Sequence, residues 1–368
     1  MLDINPSGKK VILSIDGGGL RGMIAIAMLA ELERMTGKTC SQLFDMVAGT
    51  STGAIIAAGI GLGIPAQDLL VDVYRNALPA AFRAQPKGLG LYLRYALGGF
   101  RSLYTFDAFV ELLSPFGAGK KVGDFSKPIV FMTTRDVRTA NTYFVVSAGP
   151  GRERFKDWPV VGAVAASGSA PIFFPPVLGN LIDGGVGVHG NPCLAATVEA
   201  LEYLGAAAGF TDGNVIHLSL GNGYFPNTNA EGAAGRFGII RWLRYLIDES
   251  LTDSALNQVF STRAIYRSRV DFRRYNVFLQ AQSITANLGV STQGRPDPAG
   301  LGNGLEALDD ASIQLMEEIG TAYARKVDWT ESGYMPWFQS GPQQGQGRDG
   351  GHPLPGVAPV KWDGSPYL

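Results

Sequence analysis

Short apolar runs punctuated by glycine set the rhythm of this chain. Val11–Ile15 (VILSI) is a continuous apolar run that stops at a glycine cluster, the pattern of a strand buried on both faces. From Leu20 to Met35 the period becomes helical, with Ile24, Met28, Leu29 and Leu32 on one face. Phe44–Ala48 (FDMVA) predicts a second strand closed by Gly49, and Thr52 to Ile60 predicts a compact apolar helix. Strand, helix, strand and helix in that order predict a parallel sheet with helices on both faces. Ile129–Thr134 and Thr142–Ser147 predict a hairpin with its turn near Thr139–Asn141. Further on, the pattern predicts a helix over Val160–Ser167, a short strand at Leu181–Ile182, a helix over Asn191–Leu204 and a buried strand at Val215–Leu220. Helical blocks follow over about 238–268 and 305–326.

Two stretches break the rhythm. Between 82 and 104, glycines, aromatics and arginines interleave without a period. From Gln339 the chain turns to glycine, proline and glutamine. With no internal repeat, the expected organisation is one domain over 8–335 and a low-complexity tail over 336–368.

Composition narrows the classes of function. A formal net charge of −1 lacks the basic excess of a nucleic-acid binder, so no nucleic-acid partner is expected. The two cysteines, Cys40 and Cys193, are far apart, and there are three histidines, so neither a disulfide framework nor a metal site is expected. The first residues lack the order of a secretory signal, and the apolar run at 54–64 is too short and interrupted to span a bilayer. The expectation is a cytoplasmic protein that meets lipid, if at all, peripherally.

The candidate chemistry sits at strand ends. Gly49-Thr50-Ser51-Thr52-Gly53 is a G-x-S-x-G between a predicted strand and a predicted helix, the setting of a nucleophile elbow. Asp16-Gly17-Gly18-Gly19-Leu20-Arg21-Gly22 follows the first strand, and its glycine amides could converge on an anion as an oxyanion hole. The same segment matches the dinucleotide fingerprint through Gly17, Gly19 and Gly22. That fingerprint, however, needs an acid at the end of the second strand, where this chain has Ser51. Asp183-Gly184-Gly185 alone reads as a tight turn. It gains weight because Ser51 needs a base and the histidines are poorly placed. His217 lies within a core strand, His189 is only six residues beyond Asp183, and His352 is in the tail. A Ser51–Asp183 dyad is the economical choice, provided that burial raises the basicity of a group whose usual pKa is about 3.9.

Taken in order, DGGGLRG, GTSTG and DGG resemble the signature of the patatin-like phospholipases. Ala166-Ser167-Gly168-Ser169-Ala170-Pro171 and Leu218–Gly223 are similar to that family too, over about residues 10 to 225. The resemblance implies a three-layer α/β/α sandwich around a mostly parallel sheet. It implies Ser51 and Asp183 as the dyad, Gly17, Gly18 and Gly19 as the oxyanion hole, and Arg21, Gly49, Gly53, Gly184 and Gly185 in support. It also implies hydrolysis of glycerolipid acyl esters in a membrane or micelle, with no metal or cofactor. The chain departs from the family at His189-Gly190-Asn191-Pro192, where two asparagines often precede the proline. Alternatives are a ligand-regulated effector phospholipase, a non-lipid carboxylesterase, a module with a dead site and a nucleotide-binding protein. An allosteric ligand or a second copy is compatible with each. For lipid contact the candidates are 82–104, including Leu91, Tyr92 and Leu93, and the helix near 239–251, whose Trp242 is expected to face the core.

Overall fold

The computed structural model describes residues 1–79, 110, 117, 119–171, 173–224, 233–302 and 309–330. The segment 82–104, the tail 336–368 and His352 lie outside the described residues. A seven-stranded sheet forms the middle layer. Its strands are β1 (Lys10–Ile15), β2 (Met46–Gly49), β3 (Ile129–Asp136), β4 (Asn141–Val146), β5 (Leu181–Asp183), β6 (Val215–Leu220) and β7 (Asp271–Tyr275). They run in the order β4-β3-β2-β1-β6-β7, with β5 paired to β3. All neighbours are parallel except β3 with β4 and β3 with β5. The main helices are α1 (Gly22–Thr36), α2 (Thr52–Gly61), α3 (Val160–Gly168), α4 (Cys193–Val198), α5 (Ile239–Ile265) and α6 (Asp310–Lys326).

Alternation along the strands divides the core in two. Val11, Leu13 and Ile15 of β1 face one layer, built from α1, α2, α3 and α6, while Ile12 between them faces α4 and α5. A strand covered on both sides needs apolar residues at successive positions, so VILSI reads as a run rather than an alternation. The result is the three-layer sandwich with a mostly parallel sheet. Among the described residues, no helix is long and apolar enough to cross a membrane.

Three elements differ from the expectations. β7 falls within DFRRY, whose two arginines hide the strand pattern; both are nonetheless buried. Arg273 donates to the carbonyls of Ile4 at 3.0 Å and Trp329 at 2.6 Å, clasping both ends of the described body. The helix predicted over Asn191–Leu204 begins at Cys193 and is wound as a π-helix from Glu199 to Leu204. Trp242 is 40% exposed, in edge contact with Phe237 and Tyr245, instead of facing the core. It lies in the first turn of α5, ahead of the stretch from Ser254 to Val259 that packs on the body.

Candidate active site

At the carboxyl end of β2 the chain reverses within two residues. Ser51 adopts φ 57° and ψ −122°, in the positive-φ region that non-glycine residues avoid. The turn closes so tightly that a Cβ on Gly49 would strike the Gly53 carbonyl, and one on Gly53 would lie 2.5 Å from Ile15 O of β1. Glycine at both positions lets the elbow form. Thr50 is buried and anchors it, bonding Thr133 Oγ1 of β3 and the His189 carbonyl, each at 2.7 Å. Ser51 N–H donates to Ser167 Oγ at 2.9 Å. The Ser51 side chain itself is half-buried and reachable from solvent.

Register along β3 brings Asp183 to this elbow. β4 occupies one edge of β3 from Phe131 to Asp136, so β2 and β5 must share the other edge. β2 ends with Gly49 opposite Met132, and β5 takes over with Asp183 opposite Thr134. The two strand ends therefore meet head-on, with Ser51 and Asp183 on either side of the junction. Gly184 follows where a Cβ would collide with Thr133 Oγ1. Asp183 is 1% exposed. Its Oδ1 accepts the Gly185 N–H at 2.8 Å, whereas Oδ2 has no hydrogen-bond partner. Burial pushes its pKa up to about 6, against the smaller downward pull of the Ser51 hydroxyl and the Gly185 N–H. The Ser51 hydroxyl is thus close enough to act on the carboxylate.

The glycine loop packs on the other side of Ser51. A Cβ on Gly17 would stand 3.3 Å from Ser51 Cβ. Gly17 N–H was expected among the anion donors, but it is engaged by the Gly190 carbonyl at 2.7 Å. Gly18 and Gly19 donate to no described residue. Arg21 lies beside them, with Nη2 3.6 Å from the Cβ position of Gly18.

Beneath the loop is a polar network that the sequence did not announce. Arg274 of β7 is 1% exposed and grips Asp16 with both nitrogens, at 2.6 and 2.8 Å. Asn191 donates to Asp16 Oδ1 and to Ser219 Oγ, and Asn222 donates to the Asp16 carbonyl at 2.7 Å. Asp16 is thereby fixed by side chain and backbone just before the loop. Ser167 and Ser169 were also missed as contacts, although the motif that contains them was noted. Ser167 holds the elbow, and the Ser169 carbonyl accepts Asp183 N–H at 3.0 Å.

The two described histidines, His189 and His217, stand where the sequence placed them. His217 is fully buried between Thr197 and Ser14, at 2.8 and 2.9 Å, and burial pushes its pKa down to about 3. The His189 ring packs edge-on against Phe144 at 5.0 Å, and burial lowers its pKa to about 4, helped by Arg135. A small apolar crevice opens between α2 and α3, lined among others by Ile55, Ala58, Leu62, Val160 and Val164. Ile55 is about one helical turn from Ser51.

The chain is similar to proteins of one family. A family model described as Patatin-like phospholipase matches residues 13–197. A cGAMP-activated phospholipase of Pseudomonas aeruginosa (strain BWHPSA011 / Pa011) is 27% identical over 67% of this chain and 74% of its own. The 85/88 kDa calcium-independent phospholipase A2 of Mus musculus is 29% identical over 58% of this chain, a match that spans only 27% of that protein. Patatin group J-1 of Solanum tuberosum is 23% identical over 86% and 84% of the two chains. The crystal structure of VipD from Legionella pneumophila aligns with a TM-score of 0.36 at 12% identity, covering 84% of this chain and 67% of that one.

Proposed function

Because the chain belongs to the patatin-like phospholipase family, we propose that it is a lipid acyl hydrolase of the phospholipase A type, with Ser51 as nucleophile and Asp183 as its base. One observation carries the reading: a strained, accessible serine faces a buried carboxylate that has an oxygen to spare. Asp183 takes the Ser51 proton as Ser51 Oγ attacks the ester carbonyl. The carbonyl oxygen becomes an anion held by the Gly18 and Gly19 amides. As the tetrahedral intermediate collapses, the protonated Asp183 returns its proton to the departing alcohol, leaving an acyl-serine. Asp183 then takes a proton from the water that attacks the acyl-serine, and returns it to Ser51 Oγ as the acyl–oxygen bond breaks and the fatty acid leaves.

The test is incubation with a mixed lipid extract, followed by mass spectrometry of the products. Wild type should release free fatty acid and lysolipid, and Ser51→Ala should release neither while keeping its fold. A fluorophosphonate probe should label wild type alone. Turnover by Ser51→Ala overturns the assignment, and cleavage of soluble esters without any lipid product would make the protein a general carboxylesterase. Stimulation by added cGAMP, the activator in the name of the Pseudomonas relative, would extend the proposal to a regulated enzyme.

A further inference from the structure

Two turns beyond the proposed dyad are built as one rigid piece. Asp136, at the end of β3, is fully buried. Its Oδ1 accepts Arg138 N–H and the Asn180 amide, each at 2.9 Å; its Oδ2 accepts the Tyr143 hydroxyl at 2.8 Å and the Arg138 guanidinium at 3.3 Å. Val137 N–H donates to the Asn180 carbonyl at 2.9 Å. Val177 and Leu181 exchange both backbone bonds, which closes the second turn. This scaffolding presents two aliphatic side chains to solvent: Val137 is 52% exposed and Leu178 is 85% exposed. Leu178 also has φ 52°, where glycine or asparagine would fit without strain. An exposed leucine held in a disfavoured conformation gains nothing from the interior of its own protein.

The place of this tip gives it a partner. β2 and β3 are parallel, so Ser51 and the tip share the carboxyl end of the sheet. Val137 stands three residues past Thr134, the partner of Asp183, about 10 Å further out. We propose that Val137 and Leu178 dock this end of the molecule on a phospholipid surface, setting the proposed dyad about that distance above it. The inference rests on the lipid hydrolase reading, because a substrate held in a bilayer requires the site end to meet that bilayer. Arg138, with its side chain 74% exposed beside Val137, offers a cation to headgroup phosphates. A pair of aliphatic side chains suits transient docking rather than anchoring.

The experiment uses the full chain and vesicles of phosphatidylcholine containing phosphatidylglycerol. The double variant Val137→Ser/Leu178→Gly should bind them about tenfold or more weakly by sedimentation, with vesicle lipid turnover falling in step. Turnover of a water-soluble p-nitrophenyl ester should stay within about twofold. Leu178→Gly alone should not lower Tm, since glycine suits φ 52°. Ile265→Ser is the control: it is 63% exposed, but it precedes the turn into β7 at the opposite end of the sheet, and it should bind as wild type. Equal vesicle binding by the double variant and wild type, or equal damage from Ile265→Ser, overturns the docking surface. If wild type cleaves no lipid while binding still depends on Leu178, the surface stands and the hydrolase reading falls. If the double variant hydrolyses vesicle lipid at the wild-type rate, the reverse holds.

Discussion

The tripeptide Asp-Gly-Gly occurs at the end of β1 and again at the end of β5, and the two aspartates lead opposite lives. Asp16 has both oxygens taken by the Arg274 guanidinium, and the Asn191 amide adds a further bond to Oδ1. Asp183 is at least as deeply buried, yet receives one backbone N–H on one oxygen and nothing on the other. A saturated carboxylate is a strut, because its charge is offset in place and any movement breaks several bonds at once. A starved carboxylate in an apolar setting is a base in waiting, since gaining a proton relieves its burial. What separates them lies largely outside the tripeptide: an arginine from β7 reaches the first, whereas the serine of the neighbouring elbow stands beside the second.

The contrast can be broken from either side. The largest effect is expected for Asp183→Asn, which should lower kcat/KM by about 10³-fold while leaving a folded protein. The folded pKa of Asp183, about 6, lies above its ordinary 3.8. The stability linked to that shift is therefore present below about pH 4 and lost as pH rises through about 6, a difference near 3 kcal/mol. At pH 7 the asparagine variant should melt higher than wild type, and the gap should close as pH is lowered to 4. A constant gap in thermal unfolding would mean that Asp183 is not starved after all. Wild-type kcat/KM should likewise fall as pH drops below about 6.

Arg274→Met comes next. Leaving Asp16 buried and unpaired should remove about 3–5 kcal/mol of stability, measured by chemical unfolding. Adding Asp16→Asn to it should restore much of the loss. If the double variant is no better than Arg274→Met, the strut works through shape rather than charge. The smallest effect belongs to His189→Ala, which should keep turnover within about threefold, because its ring is spent on Phe144 and not on Asp183. A folded but inactive His189→Ala would move the base away from Asp183.

The sequence singled out one aspartate of this pair as a candidate base and gave the other no role. Ser51 was legible because strand, glycines and helix surround it, and the strained φ is what that string predicts. The parallel sheet was legible from continuous apolar runs. Asp183 was reached by elimination, since the edge that β2 and β5 share on β3 depends on pairings 45 residues and more apart and leaves no local mark. Arg274 left no trace either, because a buried arginine within a strand reads as a solvent-facing residue until its partner is known. The Gly17 amide was misjudged for a related reason: its acceptor, Gly190 O, arrives from a distant loop. Trp242 shows the opposite failure, in which an amphipathic pattern was assigned to a core that its helix has not reached.

Arg273, one residue from the strut, holds the carbonyls of Ile4 and Trp329 with the same nitrogen. The two ends of the described body therefore lie side by side, a few ångströms apart. A body with such a doorway can be spliced into a larger polypeptide, or have its ends joined and new ones opened in a surface loop, without disturbing the sheet. Arg273 joins those two ends directly, and Tyr275 of the same strand adds a bond to the Asp328 carbonyl at 3.0 Å.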